Sequence, residues 1–96
     1  MRRTDALAAL KAHQEDLKRF GVRSLRLFGS VARDEAGEGS DVDLLVGFAD
    51  SPTFSRYMKL RFFLEDLLGT TVDLVTETGL RERVQPYVEE DAIRVA

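Results

Sequence analysis

The chain contains no cysteine and no tryptophan, one histidine, and two prolines in 96 residues. Without cysteine it forms neither disulfides nor thiolate metal sites, a usage that fits a cytoplasmic protein. Long apolar runs are absent too. None approaches the roughly 20 residues of a membrane-spanning helix, and the opening MRRTDALAAL lacks the apolar core of a secretion signal. No membrane partner is expected. Positive charge is not in excess: 14 Lys and Arg against 17 Asp and Glu leave a formal charge of −3. That balance argues against a broad basic footprint and against direct nucleic-acid binding. It leaves room for a local basic patch at Arg23, Arg26 and Arg33, or at Lys59 and Arg61. With 44% hydrophobic and 32% charged residues the composition is that of an ordinary globular protein. The length fits one domain over residues 1–96, with a modest core and little sequence to spare for a separate substrate-binding domain.

The most informative stretch is Leu27 to Val46, LFGSVARDEAGEGSDVDLLV. It reads as a strand, a Gly-Ser turn, a short helix, a polar loop, and a second strand opening with Asp-Val-Asp. On one strand, Asp41 and Asp43 present their carboxylates on the same face. Like charges held side by side repel, and a cation between them relieves this. Ligands that are all carboxylate oxygen suit Mg²⁺, which shares its coordination with substrate phosphates. The turn at Gly29 and Ser30 offers backbone N–H groups and a hydroxyl to those phosphates. Glycine at 29 matters because a side chain would block their approach to the backbone. Together these residues describe a metal–triphosphate site.

Along the rest of the chain, residues 4–20 have the apolar stripe Leu7, Leu10, Leu17 and Phe20 of an amphipathic helix, capped by Thr4 or Asp5 and stopped at Gly21. His13 is expected at the surface, without a metal or catalytic role. Strands are expected over 23–28, 42–48 and 71–75, with Ile93-Arg94-Val95 as a last short one. The run 42–48 is apolar on both faces after Asp43, which makes it central in its sheet. Helices are expected over 30–36, over 53–68 with Ser51-Pro52 at its start and Gly69 at its end, and over 80–90, where Pro86 ends or kinks it. Asp73 lies inside an apolar strand, where burial is costly. Either it faces water on an edge strand or it belongs to the site. The sum is a small α/β domain, a mixed sheet of three to four strands flanked by helices, with the first two strands antiparallel.

Gly29-Ser30-Val31-Ala32-Arg33, a loop, and Ser40-Asp41-Val42-Asp43 resemble the signature of the nucleotidyltransferase superfamily that includes polymerase beta. The chain is similar in particular to the minimal nucleotidyltransferases, antitoxin partners of HEPN-domain toxins. The resemblance implies the polymerase-beta palm-like fold and nucleotidyl transfer from ATP with Mg²⁺, two ions in all. It implies Asp41, Asp43 and Asp73 as the catalytic metal ligands, Asp73 being the third carboxylate. Gly29, Ser30, Arg33 and Ser40 are the expected nucleotide-binding residues. For Arg33 an ion pair with Asp34, Glu35 or Glu38 serves equally well, and for Ser40 a structural cap on the turn. The implied acceptor is a tyrosine hydroxyl of a HEPN toxin. Two alternatives stand beside it: an antitoxin that neutralises by binding alone, and a transferase for a small-molecule or nucleic-acid acceptor with a helical subunit in trans. One position departs from the pattern. Asp34 stands where the family often has glycine; aspartate tolerates the left-handed backbone of such a turn, but its charge is unfavourable beside phosphates.

Overall fold

The computed structural model describes residues 2–35, 41–77 and 93–95. Helices α1 (Arg3–Ala12) and α2 (Gln14–Arg19) lead into β1 (Val22–Phe28). The one-turn helix α3 (Gly29–Ala32), β2 (Val42–Phe48), α4 (Phe54–Leu68), β3 (Val72–Thr76) and β4 (Ile93–Arg94) follow. The strands form one sheet in the order β3-β2-β1-β4. β1 pairs antiparallel with β2 and with β4, whereas β2 and β3 run parallel, so the sheet is mixed. β2 is central, as its two apolar faces predict. The expected helix over 80–90 and the site residue Ser40 lie outside the described residues.

Period-two alternation sorts the two faces of the sheet. Leu25 and Leu27, Val42, Leu44 and Val46, and Val72 and Leu74 enter one core with Ala6, Leu10, Leu17, Leu60, Leu64 and Leu68 from the helices. On the opposite face Leu45, Val75 and Phe28 make a second, smaller apolar cluster. The helices therefore take one face, and the other is left for polar residues.

Several boundaries differ from the sequence expectation, each for a local reason. The helix over 4–20 is two helices. His13 leaves helical geometry (φ −117°, ψ 26°), its Nδ1 lies 3.0 Å from Asp16 Oδ2, and its half-exposed ring meets Phe63 edge-on at 6.0 Å. Neither Gly nor Pro marks this break; tertiary packing sets it. α1 starts at Arg3 behind Arg2, with no side-chain cap from Thr4 or Asp5. α3 stops at Ala32 instead of 36, because Asp34 turns left-handed (φ 59°). Thr53, not Ser51, caps α4: its Oγ1 accepts the Arg56 N–H at 3.1 Å, and Gly69 (φ 69°) closes the helix. β3 is displaced by one residue, to 72–76.

β3 is an edge strand, and α4 covers part of that edge. The outward N–H of Val72 donates to Glu65 Oε2 at 3.0 Å, and the Tyr57 hydroxyl donates to the outward carbonyl of Leu74. Unpaired backbone groups on an edge invite foreign strands, and a covering helix is one way to deny them.

Thr53→Ala removes the α4 cap and should cost about 1 kcal/mol, lowering the thermal midpoint by roughly 4–8 °C in a domain of this size. Thr53→Ser keeps the acceptor and should retain most of the stability in the same melt.

Candidate active site

Register brings the expected acids together. Asp43 of β2 lies opposite Asp73 of β3 on one side and Phe28 of β1 on the other. Directly opposed residues point to the same face, so the three form a row on the face away from the helices. Asp41, two positions earlier, lies just before β2 begins, close enough for its charge to act on Asp43. Asp41 and Asp73 are exposed and Asp43 is half-buried. Asp73 faces water on an edge strand, as one sequence reading has it, and it is in register with Asp43. Burial, then the negative charges of Asp73 and Asp41, raise the Asp43 pKa from 3.8 to about 6, against a lowering by Arg33. Among the described residues no three acidic or imidazole side chains close around one point. The register pair Asp43–Asp73 is the fixed element, and Asp41 acts on it through its charge.

The Gly-Ser turn presses against this pair. Gly29 has φ +74°, and a Cβ built on it would lie 2.1 Å from Asp43 Oδ2 and 2.9 Å from its Cγ. Only glycine permits both the left-handed backbone and the close approach. Ser30 is half-buried at the start of α3, and its carbonyl accepts the Glu35 N–H at 2.8 Å. Arg33 makes the expected loop ion pair, with Glu35 at 3.1 Å, and its charge also reaches Asp43. The Asp34 carboxylate is directed elsewhere: its Oδ1 accepts the backbone N–H of Arg3 at 3.1 Å.

Residues 10–95 match the nucleotidyltransferase domain family. The chain belongs to that family. It is 42% identical over 87 residues to the protein adenylyltransferase MntA of Thermococcus cleftensis, covering 90% of this chain and 88% of that protein. A solved structure described as a minimal nucleotidyltransferase superposes with a TM-score of 0.82 at 42% identity, over 97% of this chain and 95% of the other. A complex of a tri-AMPylated Shewanella oneidensis HEPN toxin with its MNT antitoxin shares the fold, with a TM-score of 0.61 at 18% identity over 91% of this chain and 71% of that one.

In this nucleotidyltransferase the sheet face continues beyond the acids into residues that sequence reasoning did not single out. Phe28, Leu45 and Val75 form its apolar middle. Farther along, Glu77 crosses β2 at Gly47, accepts the Ser24 hydroxyl at 2.8 Å and pairs with Arg23 at 3.3 Å. A Cβ on Gly47 would lie 2.5 Å from both Glu77 Oε1 and Ser24 Oγ. A glycine within an apolar strand was the available signal for such a crossing. A cleft of about 440 Å³ lies at this end, lined by Arg23, Gly47, Asp50, Thr76 and Glu77 among others, and by none of the three aspartates.

Two outcomes follow from this geometry. Gly29→Ala should destabilise the fold by roughly 1–3 kcal/mol from the left-handed backbone alone, read by denaturant titration, and should push the turn away from Asp43. Asp43 binds its proton more tightly in the folded state than in the unfolded chain, so without added cation its contribution should fall as pH rises through the window from 3.8 to about 6. Asp43→Asn should therefore raise the metal-free thermal midpoint above pH 6, and the gain should vanish near pH 4.

Proposed function

We propose that this nucleotidyltransferase transfers AMP from ATP, in the presence of Mg²⁺, to a tyrosine hydroxyl of a HEPN-type toxin in the cytoplasm, and so serves as the antitoxin of that pair. The observation that carries the reading is the in-register pair Asp43–Asp73 lying against a Gly-Ser turn that leaves no room for a side chain. Kinship with a protein adenylyltransferase supports a protein acceptor, and a relative in fold occurs with a HEPN toxin that carries AMP.

The donor set fits Mg²⁺. It consists of carboxylate oxygens, and a divalent cation relieves both the burial and the repulsion by Asp73 and Asp41 that disfavour the charged form of Asp43. Asp41, Asp43 and Asp73 would hold the ions, two in the full site. Bound there, Mg²⁺ supplies charge to neutralise the phosphates and Lewis acidity at the phosphoryl group under attack.

The chain's own groups do the rest. The Ser30 hydroxyl and the amides of the Gly29–Ser30 turn donate to the β- and γ-phosphates and hold the α-phosphorus in line with the acceptor. Arg33, exposed beside them, adds positive charge, and Ser40 remains assigned to the nucleotide by family resemblance. Asp73, exposed at the sheet edge, accepts the proton of the acceptor hydroxyl. The acceptor oxygen bonds to the α-phosphorus, the bond to the α–β bridging oxygen breaks, and pyrophosphate leaves.

Incubation with Mg²⁺, ATP labelled at the α-phosphate, and the protein encoded beside it should label that protein on tyrosine. Asp41→Asn and Asp43→Asn should each cut labelling by at least about a hundredfold while the circular dichroism spectrum is unchanged. Neutralisation that persists in both variants without label would make this an antitoxin that acts by occlusion. Label on RNA or on a small molecule instead would assign a different acceptor.

A further inference from the structure

Two unusual features of this chain meet at one hydrogen bond. The first is Asp34, a non-glycine residue at φ 59° immediately after the phosphate-facing turn and α3. A side chain in the left-handed region costs on the order of 1 kcal/mol, and the resembled family often avoids it with glycine. The second is α1, which begins without a cap: Arg2 makes no side-chain hydrogen bond to the helix it precedes. The first N–H groups of a helix have no partner within it and carry its positive dipole end. Asp34 Oδ1 accepts the first of them, the Arg3 N–H, at 3.1 Å. A carboxylate 31 positions away thus does the work of a local N-cap. The Arg3 guanidinium closes a second link, donating from Nη1 to the Ala32 carbonyl at 3.3 Å.

We propose that Asp34 is a positioning residue for nucleotide binding. It clamps the turn that carries Gly29 and Ser30 to the N-terminus of α1. The inference rests on the assignment of that turn to the phosphates. α1 is itself fixed, with Ala6 and Leu10 fully buried in the core, so the clamp ties a one-turn helix to the body of the protein. Inside the turn, backbone bonds from Asp34 N–H to Val31 O (3.0 Å) and from Glu35 N–H to Ser30 O (2.8 Å) carry the constraint back to Ser30. The Asp34 carboxylate is engaged by the Arg3 N–H, so Asp34 acts through the backbone it holds.

The clamp can be cut from either side. Asp34→Gly relieves the backbone strain but removes the acceptor. Asp34→Asn keeps an acceptor and tolerates the left-handed turn. Arg3→Pro deletes only the N–H and the guanidinium: proline is favoured at the first helical position, and Arg2 already has the extended backbone (φ −83°, ψ 150°) that a following proline requires. Arg3→Ala keeps the N–H and isolates the guanidinium's share.

With a non-hydrolysable ATP analogue and Mg²⁺, Asp34→Gly and Arg3→Pro should each weaken binding about fivefold, the size of one lost hydrogen bond. Asp34→Asn should stay within about twofold of the parent, since it keeps that bond. The double variant Asp34→Gly/Arg3→Pro should be no worse than either single one. KM for ATP should rise in step while kcat changes little. Hydrogen exchange, which needs no nucleotide, should show faster exchange of the Arg33–Glu35 amides, which make the turn's backbone hydrogen bonds, in the two cut variants and parent-like exchange in Asp34→Asn. Parent-like or tighter nucleotide binding by Asp34→Gly would overturn the proposal, as would additive losses in the double variant. If the parent binds no nucleotide, the assignment of the turn fails by itself, and exchange at these amides still decides whether the clamp exists.

Discussion

Asp43 and Asp73 face each other across two parallel strands, and everything near them bears on their repulsion. Parallel pairing of β2 with β3 fixes the two side chains at one level on one face, so they cannot separate without breaking the ladder. Phe28 on the third side and the backbone of Gly29 take water away from Asp43, which strengthens the repulsion. A sheet built for stability alone would put an apolar residue at position 43, as it does at 45. The stability that offsets this unfavourable row comes from the other face, where strands and helices share one continuous apolar core. Chemistry and cohesion are thus divided between the two sides of a single layer of strands.

Much of this was legible because it follows from local periodicity. The uninterrupted apolar run after Asp43 marks a central strand, and β2 occupies the expected residues, 42–48. The α4 stripe is also as read: Leu60, Leu64 and Leu68 are buried, with Tyr57, Phe63 and Leu67 packed against them. The spacing argument for a common face of Asp41 and Asp43 assumed one strand, and β2 begins one residue after Asp41. What the sequence could not carry is which strand lies beside which. No local pattern says that Asp73 stands level with Asp43; that placement came from family resemblance, and register supplied its physical content.

The misread boundaries share a cause. At His13, Asp34 and Thr53 the deciding partner is distant or the choice lies between near-equals. Phe63, on another helix, packs on His13. Arg3 lies 31 positions from Asp34. Ser51 and Thr53 are both good caps, and Thr53 prevails because its hydroxyl meets the Arg56 N–H while the Arg56 guanidinium turns back to Asp50 at 2.6 Å. Glu77, which the sequence did not mark, shares the face of Asp73 and reaches Ser24 across a glycine. Such crossings depend on what the neighbouring strand lacks.

The cover that α4 lays over β3 bears on how this molecule associates. With the outward Val72 N–H and Leu74 carbonyl already engaged by Glu65 and Tyr57, that edge offers a poor template for strand addition. Association is thereby steered toward side-chain surfaces, such as the outer side of α4 where Phe54 and Phe62 stand exposed. Contacts of that kind bury a patch of fixed size on each molecule, and the symmetry of the contact decides whether they close into a ring or run on as a filament.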